Sequence, residues 1–168
     1  MNTVKRILIL LCVLVACVGC DQTTKLLAES NLPSEHGLSF LADTVRLQLA
    51  HNDGAFLSWG GSLPESFRVA ALRGGVAAIL AALLVYALFS KGIERHFMLA
   101  ASLIFSGGVS NLIDRFVHNG YVVDFLNLGV GSLRTGIFNV ADIAITAGTL
   151  LLLMSGSFNS RTNRKTSS

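Results

Sequence analysis

Residues 7–25 read ILILLCVLVACVGCDQTTK, and the fold turns on how this stretch is taken. Lys5 and Arg6 stand before it, and 14 uncharged residues run from Ile7 to Cys20. A basic start, a short apolar core and small residues before a cysteine are the parts of a secretory signal peptide. Leu14-Val15-Ala16-Cys17 even has the form of a lipobox, the site cut just before the cysteine of a bacterial prolipoprotein. A helix that crosses a membrane needs about 20 apolar residues. The run reaches that length only if the helix continues through Asp21 to about Leu27. In the first case the rest of the chain is exported; in the second it is a membrane protein.

The rest of the chain decides. Of its 168 residues, 52% are hydrophobic and only 14% charged, against about 25% charged in soluble domains. Three further apolar segments follow, at residues 74–90, 97–113 and 136–156, the last with Asp142 inside it. One signal peptide cannot account for them, and their length and lack of charge argue against soluble core helices. The expectation is an α-helical membrane protein, a single domain over residues 1–157. Its four spans fall at about 4–27, 69–90, 96–114 and 136–156. A β region at about 36–62 lies outside the membrane. Residues 158–168 form a polar tail, read as lacking regular structure.

The net charge of +3 is carried in short clusters rather than one stripe, which speaks against nucleic-acid binding and for membrane orientation. Lys5 and Arg6, Lys91 and Arg95, and Arg161, Arg164 and Lys165 fall on one side if there are four spans. Both termini are therefore placed in the cytoplasm. Arg46, Arg68, Arg115 and Arg134 on the other side weaken this asymmetry without reversing it. Cys12, Cys17 and Cys20 share one segment and cannot make a disulfide framework; they read as small apolar residues.

Residues 44–50 alternate apolar and polar, the period of a half-buried strand. His51-Asn52-Asp53-Gly54 is a turn signal. Phe56, Leu57 and Trp59 follow, and Gly60-Gly61 breaks the run. This reads as a small sheet or hairpin on the membrane with Trp59 at the interface.

Ionisable side chains inside spans are costly and are the first functional candidates. Asp21, Asp114, Asp124 and Asp142 crowd toward the outer side. Asp142 lies six residues into its apolar segment, a depth of roughly 9 Å at ~1.5 Å per residue. No neighbouring cation neutralises it, and Asn139 shares its helix face. Asp124 stands between Val123 and Phe125, a poor place for a merely solvated carboxylate. Two close carboxylates cannot both ionise cheaply, so one keeps a proton. The ionised one can take a proton from water while the other polarises a peptide carbonyl. Spacing alone does not pair them: Asp124 as an exposed loop residue, and Asp142 as a structural hydrogen-bonding group, stay open. There is no HExxH, and His36, His51, His96 and His118 are scattered, so no metal is expected. No GxSxG or phosphate loop occurs, and nothing brings Ser58 to Lys25.

Five motifs then stand in order: Asp21-Gln22-Thr23-Thr24-Lys25, Asn52-Asp53-Gly54-Ala55-Phe56, Gly108-Val109-Ser110-Asn111-Leu112-Ile113-Asp114-Arg115, Val122-Val123-Asp124-Phe125 and Phe138-Asn139-Val140-Ala141-Asp142. Together they resemble the lipoprotein signal peptidase family (signal peptidase II), aspartic peptidases of the bacterial inner membrane, over about residues 7–153. The resemblance implies four transmembrane helices with an extracytoplasmic β-cradle. It implies removal of signal peptides from diacylglyceryl-modified prolipoproteins, N-terminal to the lipidated cysteine, without a cofactor. By motif match Asp124 and Asp142 are the catalytic dyad. Asn52, Gly54, Gly108, Asn111, Arg115, Asn139, Ala141, Asp21 and Lys25 match the supporting positions. Asn111 and Asn139 would orient the dyad or the substrate backbone, Arg115 would anchor a loop or meet polar substrate groups, and Asp21 and Lys25 look structural. The implied partners are lipidated prolipoproteins and membrane lipids, with the protein a monomer and its active site facing the periplasm.

This chain departs from the family at Asp53, where Thr is common, and at His51, where Tyr or Arg is common. Arg73 inside the second span is also unexpected, and is read as reaching outward to the interface. Two other readings compete with this one. In one, Asp21, Asp114 and Asp142 serve as relays in a small transporter; against it, the acids crowd one side instead of crossing the membrane. In the other, the chain is itself a lipoprotein anchored at Cys17; that cut would discard most of the first span. Packing against the other spans is expected to hide Cys17.

Overall fold

The computed structural model describes residues 1–33, 37–54, 64, 67 and 70–165, with side chains up to residue 154. The readings placed on His36, Ala55, Phe56, Leu57, Ser58, Trp59, Gly60, Gly61 and Arg68 lie outside these residues.

The stretch at residues 7–25 is helix throughout. Helix α1 runs Thr3–Asn31, capped by the Asn2 side chain, which accepts from Lys5 N at 3.1 Å. It does not end at Cys20, because Asp21, Lys25 and Ala28 share one buried stripe at the i, i+4, i+7 spacing of a helix face. Its other sides are bare, with Val15 72% and Leu26 66% exposed. Cys17 is only half-buried, so the expectation that packing hides the lipobox is corrected. Beyond Cys20 the stretch stays regular helix to Asn31, with its backbone groups engaged along the axis.

Helix α2, Ala71–Phe89, opens with a π-helical turn at Ala71–Gly75. Helix α3 is Arg95–Val117 and α4 is Val140–Lys165. Helices α1, α2 and α3 are long and apolar enough to cross a membrane, while the apolar part of α4, Val140–Met154, is shorter. Arg6 is buried at the end of α2, where its Nη1 donates to the carbonyls of Ala87, Leu88 and Ser90. Those are carbonyls left without helical donors.

Two sequence expectations change here. Residues 136–139 are not helix, because Phe138 exchanges hydrogen bonds with Leu126 (2.8 Å each way) as an isolated β-bridge. Asp142 is therefore the third residue of its helix, and the depth of six residues does not hold. At the other end the polar tail is helical through Lys165. A helix already formed by its apolar part extends at one hydrogen bond per residue.

Helices α3 and α4 meet over glycine. A Cβ on Gly107 would stand 2.5 Å from Ala141 O, and one on Gly148 would stand 2.7 Å from Ala100 O. Backbone cannot give way as a side chain does. Gly107→Ala is thus expected to lower stability by about 1–3 kcal/mol, the usual cost of overpacking. A Cβ on Gly108 meets only the Leu80 side chain, at 2.6 Å, which can turn aside. Gly108→Ala should be near neutral, helped by alanine's better helix propensity. Thermal unfolding in detergent separates the two; equal midpoints would refute the contrast.

The sheet is four-stranded and antiparallel in the order β1 (Leu38–Phe40), β2 (Val45–Asn52), β3 (Val122–Val130), β4 (Leu133–Arg134). Strand β2 covers the alternating stretch and continues through His51 and Asn52, so the turn comes later, at Asp53-Gly54. Gly54 has φ +78° and donates its N–H to Asn52 Oδ1 at 2.9 Å, the kind of local side-chain turn that favours glycine. Side chains alternate along strands, and residues paired across strands share a face. The register puts Leu38, Leu47 and Leu126 in one row, Phe40, Val45 and Leu128 in the next, and Val130 beside Leu133. Asp124 is two residues before Leu126 and belongs to this face. The opposite face carries Ser39, Arg46, Asn127 and Arg134. Asp43 ties it together by accepting from Ser39 and Arg46, while its backbone oxygen accepts from Arg134.

Candidate active site

The site forms where β3 and the start of α4 come together over the ends of α1 and α3. Asn139 and Asp142 build it first. The Asn139 side chain accepts from Asp142 N at 2.9 Å, and Asp142 Oδ2 accepts from Asn139 N at 3.1 Å. This is a reciprocal capping box with aspartate in the acidic place. It fixes the Asp142 rotamer at the positive end of α4.

The rest of Asn139 faces inward. Its Nδ2 donates to Asp124 Oδ1 at 2.6 Å and to Asn111 Oδ1 at 3.1 Å. Asn111 Nδ2 donates to Asp142 Oδ1 at 2.9 Å. Asn52 Nδ2 reaches Asp124 Oδ2 at 3.0 Å from β2. Every oxygen of Asp124 and Asp142 thus receives a donor, and two asparagines link the carboxylates. Asp124 is 1% exposed. Burial pushes its pKa up to about 6; the Asn52 hydrogen bond opposes this, and the nearby Asp142 adds to it. Asp142 is less buried and lines a cavity of about 560 Å³ with Thr135, Phe138, Ile143, Thr146 and Leu150. One carboxyl is enclosed and the other faces an apolar groove.

A second network stands behind the first. Lys25 Nζ is 2.6 Å from Asp21 Oδ2, 2.8 Å from Asp114 Oδ2 and 3.1 Å from Asn111 Oδ1. Asp21 Oδ1 accepts from Ala141 N at 2.8 Å and Asp114 Oδ2 from Val123 N at 3.0 Å. Each of those amides belongs to a residue next to Asp142 or Asp124. Ser110 donates to Asp21 Oδ2 at 2.7 Å, and Gln22 to Asp114 Oδ1 at 2.7 Å. A buried lysine between two carboxylates is tolerable only when the remaining lone pairs are filled in this way.

The structure therefore gathers Asp124, Asp142, Asn52, Asn111, Asn139, Ala141, Asp21 and Lys25. Gly54 supports Asn52 from behind. Gly108 faces Leu80 of α2 and does not join the carboxylates. Arg115 sits at the end of α3, where its Nη1 lies 3.4 Å from Gly120 O. Arg73 turns to the C-terminal end of α3. Its Nε and Nη2 donate to Arg115 O at 3.0 and 2.6 Å, and it lies over Phe116 at 5.2 Å. The Arg115 carbonyl, which also accepts from Gly120 N at 3.0 Å, lies in the last turn of α3, whose negative end attracts a guanidinium.

Sequence reasoning counted Asp114 among the suspect acids but gave it no place in the site, and it left Ser110 and Gln22 out. The signal was there: Ser102, Ser106, Ser110 and Asp114 recur every four residues on an apolar helix, and all are buried. A polar stripe of that spacing faces protein rather than lipid. Among the described residues, no group of three His, Cys, Asp or Glu side chains is placed to hold a metal ion.

The Asn52 bond allows a test by pH. That bond holds the Asp124 pKa down against burial, so removing it raises the pKa. If Asp124 carries a limb of the activity profile, Asn52→Ala should move that limb to higher pH. A profile that keeps its limbs while losing height would assign Asn52 to substrate binding instead.

Comparison with known proteins places this geometry. The family model described as "Signal peptidase (SPase) II" matches residues 13–158. The lipoprotein signal peptidase of Chlorobium phaeobacteroides (strain BS1) is 36% identical over 143 residues, covering 80% of this chain and 86% of that protein. The one from Desulforapulum autotrophicum is 34% identical over 163 residues, covering 95% and 97%. A solved structure described as a bacterial membrane enzyme, at 26% identity, superposes with a TM-score of 0.73 over 90% of this chain and 91% of that one.

Proposed function

The chain belongs to the signal peptidase II family of bacterial membrane peptidases, and from that premise we propose that it cleaves lipidated prolipoproteins with an Asp124–Asp142 dyad and a water molecule. The observation that carries this is the pair of asparagine bridges. Asn139 holds Asp124 and Asn111 holds Asp142, and the two amides are bonded to each other.

The pair shares one proton, and its titration belongs to both carboxyls. Burial favours that proton on Asp124, which leaves Asp142, on the groove, as the base. Asp142 takes a proton from water, and the hydroxide formed attacks the carbonyl carbon of the scissile bond. Asp124 gives its proton to the carbonyl oxygen, producing a neutral gem-diol. Asp142 then passes its proton to the leaving nitrogen, and a diol hydroxyl returns one to Asp124 as the C–N bond breaks. The asparagines keep both carboxyls in place throughout, so little reorganisation accompanies the transfer.

Asp21, Lys25, Asp114 and Ala141 act one layer back by holding the backbone on either side of the dyad. The apolar groove beside Asp142 suits the hydrocarbon part of a substrate that arrives from the membrane, and holding that part would fix the scissile bond for attack. The basic residues Lys5, Lys91 and Arg95 support cytoplasmic termini and a site on the periplasmic side.

The deciding experiment offers purified enzyme one prolipoprotein with and without its diacylglyceryl group. Cleavage N-terminal to the modified cysteine only is the expected result. Equal cleavage of the unmodified form would remove lipid as the positioning element.

A further inference from the structure

The sheet is larger than the site needs. Its face bearing Asp124 continues past the bundle as Leu128, Val130 and Leu133, which are 40%, 75% and 83% exposed, with Phe40 at 49% beside them. Next to these, the β1–β2 turn lifts Leu41 to 76% exposure. The turn and the β3–β4 hairpin lie at the same end, joined by Gly129 N to Thr44 O at 2.9 Å and Arg134 Nη1 to Asp43 O at 2.7 Å. A cluster of this kind left in water marks an interaction surface.

We propose that this end of the sheet, with Leu41, Val130 and Leu133 foremost, inserts among the lipid chains of the adjacent leaflet and sets the height of Asp124 over the membrane. Three observations choose lipid as the occupant. First, Asp124 lies on the same face and is tied through Asn139 and Asn111 to α3 and the start of α4. That face is therefore turned toward the helices and the membrane they cross. Second, β1 and β4 contact only their neighbouring strands among the described elements, so the face overhangs the bundle. Val130 is six residues beyond Asp124, about 20 Å at the usual strand rise. Third, the opposite face is polar. Hydrogen bonds from Arg46 and Ser39 hold the Asp43 carboxyl well below the usual carboxylate range, as befits a charged face in water. A surface apolar on one side and charged on the other lies at a membrane interface for the reason amphipathic helices do.

The turn carries a further sign. Leu41, Ala42 and Asp43 have φ of +52°, +51° and +68°, a region that non-glycine residues rarely occupy. The chain accepts this backbone at the point where it presents Leu41 outward.

The test uses full-length protein in nanodiscs, with Cys12, Cys17 and Cys20 replaced by alanine. Leu133→Cys, Val130→Cys and, on the polar face, Ser39→Cys are each labelled with an environment-sensitive fluorophore. Labels at 130 and 133 should emit blue-shifted light and lose most of their intensity to spin-labelled lipid chains. The label at 39 should lose intensity to aqueous iodide instead. If the labels at 130 and 133 behave like the one at 39, the proposal fails. If both quenchers leave them untouched, protein covers the face, either residues 55–63 or a second copy, and the proposal fails as well. Cleavage is not measured, so the result is independent of the peptidase mechanism.

Discussion

Asp124→Asn and Asp142→Asn should each abolish measurable cleavage of a lipidated prolipoprotein, a loss of about 10²–10⁴-fold for each proton-transfer role removed. Neither variant should fail to fold: asparagine keeps the size and one of the two accepted hydrogen bonds at each position, and turns its Nδ2 toward the other donor. Asp124→Asn should in fact gain stability. The Asp124 pKa is raised by burial from 3.8 to about 6 in the folded protein. Between those two values the folded state binds more protons than the unfolded chain, so stability falls as pH rises. Above about pH 6 the enclosed carboxylate imposes its full penalty; below about pH 4 the penalty is gone. The neutral amide never has it. The melting point of Asp124→Asn should therefore exceed that of the parent at pH 7–8, with the gain shrinking toward zero at pH 4. Loss of activity with a gain in stability is the mark of a group kept for chemistry. Full cleavage by both variants would sink the dyad, and a destabilised Asp124→Asn would make Asp124 structural.

Lys25→Met should have the largest effect on stability. The ammonium is 3% exposed and lies within 2.8 Å of both Asp21 and Asp114. Methionine fills the space but leaves two enclosed carboxylates uncompensated, a change that costs about 3–5 kcal/mol when one partner of a buried pair is removed. Activity should fall with it, because Asp21 and Asp114 hold the amides of Ala141 and Val123 beside the catalytic carboxyls. Adding Asp21→Asn to Lys25→Met removes one of the uncompensated charges and should recover part of the lost stability. Such non-additivity is expected of groups in one network. The readout is thermal unfolding in detergent, and an unchanged midpoint for Lys25→Met would show that the network is not closed to water.

Much of this was legible from local pattern. Asp142 and Asn139, three residues apart, announce a shared helix face, and the structure turns that spacing into a capping box. The alternation at residues 44–50 gave a strand without its partners. Strand β3 escaped notice as a strand because Val122, Val123 and Phe125 are buried on both faces, so the period of two is masked. Residues 136–139 looked helical because an apolar run does not reveal whether its backbone bonds along the chain or across to another strand. Only the Phe138–Leu126 bridge settles that.

By itself, the sequence determined what depends on hydrophobic length and on motif: a membrane-embedded helical fold, the family, and the acids worth suspecting. Residues 7–25 taken alone are ambiguous, because their apolar run is too short for a span and long enough for a leader; the other apolar segments make them a span. Tertiary structure shows what lets that span carry charge. Asp21 and Lys25 are costly in a membrane helix when alone, and become stable there when Asp114, Ser110, Asn111 and the Ala141 amide surround them. Those partners lie about 85 to 120 residues away in the chain, which no local pattern can report. The same long-range closure brings Asn52, Asn111 and Asn139 onto two carboxylates and makes them one site.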